Sequence, residues 1–143
     1  MMDDQQFLNA FENCTLPFDD WTHRAHLRVA YLYASKYDLQ TATDKIRAGI
    51  KAYNKATNTP EELERGYHET ITVAFMHLVT AALQQSGPFE NSAAFCDACA
   101  VSLNKPVLLK YYSKDHIISM KAKQTFVEPD LQPLPVVKEE HEK

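Results

Sequence analysis

Two short strings place imidazoles, a carboxylate and a phenol at helical spacing. His23 and His26 stand one turn apart in "THRAHLRVAYLY", and Tyr67, His68 and Glu69 are consecutive in "GYHETIT", with Thr70 and Thr72 just beyond. Two imidazoles on one helix face can hold a metal ion or a ligand together. If the strings converge, His23, His26 and His68 form a metal-ligand set suited to zinc, iron or manganese, with Glu69 as fourth ligand or base. Without a metal, Glu69 and Tyr67 are the candidate catalytic groups for acid–base work on a small molecule, and Thr72 a candidate ligand-binding donor. The H-E-x-x-H pattern of zinc proteases is absent, because position 72 is Thr.

Each cluster also has a plainer explanation. A histidine near a helix start is often bonded to a backbone carbonyl, and His68 can be a satisfied core histidine beside an exposed Glu69. Two readings therefore stand. One is a metal-dependent or acid–base enzyme with a small substrate; the other is a non-catalytic ligand-binding or interaction module.

Whether the strings meet depends on the elements that carry them. At about 100° per residue, Arg24, Arg28 and Ser35 share a side expected to face solvent. His23, His26, Ala30, Tyr33 and Ala34 fall opposite, where the alanines let another helix approach. Thr22 is the expected cap of this second helix, which runs to about Ser35. A first helix spans about Asp3 to Asn13 and buries Phe7, Leu8 and Phe11. A third starts at Asp38 or Thr41, with Ile46, Ile50 and Tyr53 inward and Lys45, Arg47, Lys51 and Lys55 in water.

"NTPEELERGYHETITVAF" predicts a fourth helix with Thr59 as cap, Pro60 at its first position and Glu61 and Glu62 in its first turn. It should run to about Gln85 and stop at Ser86-Gly87-Pro88. Ile71 to Leu83 is apolar almost all round, as a central helix requires. Asn91 is the expected cap of a fifth helix through Leu103, and Ser113 of a last one, "KDHIISMKAKQTF". The tail "VEPDLQPLPVV" should lie extended along the bundle, and "KEEHEK" should be disordered. The sum is an all-α fold: a single compact bundle of about five to seven helices over residues 1–128, and an extended, partly disordered Pro-spaced tail over 129–143.

Weaker signals lie elsewhere. "LLKYYSKD" offers Tyr112 and Ser113 as ligand-binding candidates beside Lys110 and Lys114, although aromatic packing explains it equally well. Cys96-x-x-Cys99 lacks both a βαβ setting and a second cysteine pair, so packed small residues are the expected reading. His77 reads as a core or interface contact and His116 as local capping.

Composition excludes several classes. Net charge is −4 and the basic residues are scattered, which argues against a nucleic-acid partner. The first residues are acidic where a signal peptide is basic, and the apolar stretch around "ITVAFMHLVTAAL" is too short to span a bilayer, so no membrane partner is expected. Three cysteines make no disulfide framework, which points to a reducing, cytoplasmic home. A small-molecule partner fits a chain without a basic or aromatic groove.

The strings "HRAHLRVAYLY", "GYHETIT" and "YYS" followed by "VEPDLQPLP" together resemble a family of small all-helical bacterial proteins. That family shares H-x-A-H-L, Y-H-E-T-x-T and E-P-D-L-x-P-L-P in this order and has no established function. The likeness spans about residues 18 to 135. It implies a shared fold and a shared site at His23, His26, Tyr67, His68, Glu69, Thr70 and Thr72, with Tyr112 and Ser113 behind them, and it implies no reaction.

Overall fold

Helix ends in this chain are set by side chains that satisfy the free amides of the first turn. The computed structural model describes residues 2–138. In α1 (Asp4–Glu12) the Asp3 carboxylate accepts from Gln6 N at 2.8 Å, and the Gln6 side chain accepts from Asp3 N at 3.0 Å, a complete capping box. Thr22 caps α2 (His23–Ala34) through Ala25 N, and Asp38 caps α3 (Leu39–Ala56) through Thr41 N. Asn91 does the same for α5 (Ser92–Cys99). These four starts agree with the sequence expectation, and no strand occurs among the described residues. The fold is all-α.

The fourth helix starts later than expected. Central α4 spans Glu69–Ser86, with His68 as its cap, while Thr59 to Tyr67 form a loop. Within that loop Glu62 and Arg65 exchange backbone hydrogen bonds at 3.1 and 3.2 Å, and Gly66 adopts a φ of +91°. A Cβ at position 66 would be driven into the Glu61 carboxylate. That carboxylate accepts instead from Tyr67 N at 3.1 and 3.2 Å. The Thr59-Pro60-Glu61 signal lost for a packing reason. A helix through residues 60–66 would present only Leu63 to a core, too little to offset the cost of ordering it; Leu63 is exposed.

The chain after α5 is also more broken than the periodicity suggests. Helix α5 ends at Cys99 rather than Leu103, and residues Lys105–Lys110 form a 3-10 turn. The single last helix is two short ones, α6 (Lys114–Ile117) and α7 (Met120–Gln124), because Ser119 caps Ala122 N at 3.1 Å and restarts the helix. Ser113 does not cap α6 with its side chain.

The core centres on α4, which packs against α2, α3 and α7 and buries Ala74, Met76, Leu78 and Val79. Tyr53, Phe11 and Phe95 fill the spaces between α1, α2, α3 and α5. The tail is extended, as its prolines require. It is held rather than loose: His77 donates from Nε2 to Pro135 O at 2.6 Å, and Gln84 exchanges bonds with the Lys138 backbone at 2.8 and 2.9 Å. Lys138 opens the "KEEHEK" string expected to be disordered; residues 139–143 lie outside the described residues. Among the described residues no helix is long and apolar enough to cross a membrane.

Candidate functional site

The inward face of α2, Ile46 and Ile50 of α3, the start of α4 and the 3-10 turn at residues 105–110 enclose a cavity of about 640 Å³. His23, His26, Tyr67, His68 and Thr72 all line it. The two strings therefore meet, and Ala30 on the α2 wall leaves the room between them.

His26 donates from Nδ1 to Thr22 O at 2.7 Å, since a carbonyl can only accept. Trp21 stacks on its ring with centroids 3.8 Å apart. Burial, with the nearby charges of His23 and Lys105, outweighs the Thr22 bond and pushes its pKa down to about 4. The ring is neutral at pH 7, and Nε2 is a lone-pair acceptor with no partner among the described residues. His23 donates from Nε2 to Leu103 O at 2.8 Å and meets the Phe75 ring edge-on at 5.5 Å. In its neutral form the Nδ1 lone pair is likewise unspent.

His68 is different. Its Nδ1 accepts from Ile71 N at 3.0 Å, capping α4, and Nε2 donates to Ile117 O at 2.8 Å. Both nitrogens are used, so the ring forms wall and offers no lone pair. Burial and the Lys123 charge push its pKa down.

Glu69 points at α3 rather than at the imidazoles. Arg47 grips both of its oxygens at 2.9 and 2.8 Å, and the Tyr67 hydroxyl donates to Oε1 at 2.6 Å. Burial alone would raise the carboxyl, but these bonds hold it below the ordinary carboxylate range. Burial and the Glu69 bond push the Tyr67 phenol up, against a smaller opposing effect of the Thr72 hydroxyl. The Glu69 carboxylate and Tyr67 proton are thus committed to each other and to Arg47, and neither is poised for proton transfer near neutral pH. Arg47, expected in water, is half-buried in this pair. Among the described residues no three His, Cys, Asp or Glu side chains are grouped to hold a metal ion.

The structure does not bring Tyr112 and Ser113 to the cavity. Tyr112 is fully buried and donates to Val127 O at 2.8 Å; burial first, then Glu128 and Asp130, pushes its pKa up to about 12. Ser113 bonds Asp130 through both N and Oγ. Their polar groups secure the tail instead of binding a ligand in the cavity. Arg28 also departs from expectation: it lies over the Phe7 ring at 4.0 Å and bonds Asp4 and Ser92 rather than solvent. Cys96 is buried with its thiol pushed up to about 11 by desolvation, as a packed cysteine should be.

Sequence reasoning missed Trp21, Phe75 and Lys105, which complete the cavity. Trp21 carried a usable signal, being the one tryptophan of the chain and adjacent to the α2 cap. Phe75 carried one as well, since helical spacing puts it on the side of His68, whereas Lys105 carried none, because its role arises from packing between distant segments. Comparison with protein-family models, curated proteins and solved structures finds no match for the chain.

Proposed function

We propose that the protein binds a small, largely apolar molecule in the α2–α4 cavity without transforming it, and that the ligand donates an N–H or O–H to His26. The observation that carries this reading is the His26 imidazole. It is neutral, stacked on Trp21, held by Thr22, and left with an unpartnered acceptor on the wall of an apolar cavity. Such a pocket, apolar with a few placed polar atoms, is the usual form of a small-molecule site. A base of pKa about 4 is too weak for efficient proton abstraction at neutral pH, which favours binding over acid–base catalysis. Free thiols at Cys14, Cys96 and Cys99 fit a reducing, cytoplasmic setting.

Thermal melting with indole and its donor-less isostere benzothiophene tests the reading. Ligand at a hundred times its Kd adds about 2.7 kcal/mol to the folded state. Indole should raise Tm by several degrees and benzothiophene by clearly less, and His26→Phe should erase the difference. If neither compound moves the wild-type Tm, or the difference survives in His26→Phe, the reading fails.

A metal-dependent enzyme is the second reading. One observation favours it: His23 Nδ1 and His26 Nε2 are unspent lone pairs one helical turn apart on the same wall. Zinc, iron or manganese held there would need its remaining ligands from water or substrate, because His68 and Glu69 are engaged elsewhere.

A further inference from the structure

The cavity lining is chemically one-sided. It includes Lys105 and no Asp or Glu, in a chain whose net charge is −4. Two acids that flank its walls are paired, Glu69 with Arg47 and Glu61 with Lys123 at 3.3 Å, while Asp19 and Asp20 precede Trp21 without entering the lining. A second cation, Lys51, stands 4.9 Å from the Tyr67 ring centroid. Lys105 itself has no ion-pair partner among the described residues. The opening is otherwise apolar, with Ile71 and Leu109 37% and 46% exposed at its lip.

We infer that the ligand is an organic monocarboxylate: a ring-sized apolar body fills the cavity, its carboxylate pairs with Lys105, and its N–H or O–H reaches His26. The inference rests on the cavity-binding reading above and adds the charge of the ligand to it. An acid-free apolar wall with one ammonium favours an organic anion over an organic cation, which would face Lys105 with no carboxylate to pair with. A phosphate would want several converging donors or an arginine fork, and the lining has neither. Burial is the main cause of the depressed pKa of His26, and Lys105 adds a small contribution in the same direction.

Isothermal titration with indole-3-acetate and its neutral isostere indole-3-acetamide decides the matter. Both carry the same ring and ring N–H; the acetate presents a carboxylate where the acetamide presents a neutral amide. The acetate should bind roughly fivefold or more tightly, with an advantage that shrinks as salt is raised. Lys105→Ala, at an exposed position, should bring the two within about twofold, and Lys105→Glu should reverse their order. Equal affinities in the wild type, or a preference that survives Lys105→Ala, overturn the charge assignment and leave the cavity reading intact. If neither indole binds the wild type, the cavity reading itself fails and this inference with it.

Discussion

His26 illustrates how one residue's surroundings set its chemistry. An imidazole in the unfolded chain titrates near its ordinary value of 6.5, while in the fold His26 titrates at about 4. Between those values the unfolded chain holds a proton that the native ring refuses. Stability is therefore fully present above pH 6.5 and is lost as pH falls toward 4, by on the order of 3 kcal/mol from this group. His68, also shifted down, acts in the same direction. Glu69, whose carboxyl is held low, contributes its loss only in more acidic solution. Denaturant melts from pH 7 to 4.5 should show a falling midpoint in the wild type and a flatter profile in His26→Phe. Parallel profiles for the two proteins would remove His26 as the cause.

At the scale of elements, the start of α4 is decided by a buried lysine. Lys123 of α7 is 8% exposed, and its ammonium donates to Arg65 O at 2.9 Å and Tyr67 O at 2.5 Å while pairing with Glu61. Those bonds hold the 59–67 loop against α7 and so place His68 as the cap of α4. Lys123→Met keeps the aliphatic stem but strands two carbonyls and a carboxylate. It should lower stability by about 1.5–3 kcal/mol and open the loop to limited proteolysis near Gly66. A variant with unchanged midpoint and unchanged cleavage would show that the loop is held by other contacts. The sequence could not show this clamp. A lysine on a short helix late in the chain reads as a solvated charge, and its acceptors lie 56 to 62 residues away.

For the whole molecule, hydrophobic packing around α4 supplies the stability, and among the described residues nothing groups three metal-ligating side chains. The cavity-binding reading requires no metal, so on it chelation should leave the wild-type Tm unchanged. Untagged protein supplied in turn with zinc, iron and manganese should carry far less than one ion per chain. One ion per chain, lost in His23→Ala, would establish a metal site at His23 and overturn the metal-free reading.

Local signals were strong where a helix start needs only its own side chains. Asp3, Thr22, Asp38 and Asn91 cap the helices that follow them, and the periodicity that turned His23 and His26 inward reflects a helix whose inner face must be apolar. The sequence by itself thus determined the all-α class and the inward aim of the "HRAH" string. Only the tertiary structure decided which atoms remain free. It gave Glu69 to Arg47, spent both nitrogens of His68, drew Tyr112 and Ser113 to the tail, and brought Trp21 and Lys105 to the cavity. The reason is physical. A cap or an amphipathic stripe is settled within a few residues, whereas the fate of a buried donor or lone pair depends on which distant carbonyl or charge the packing sets beside it.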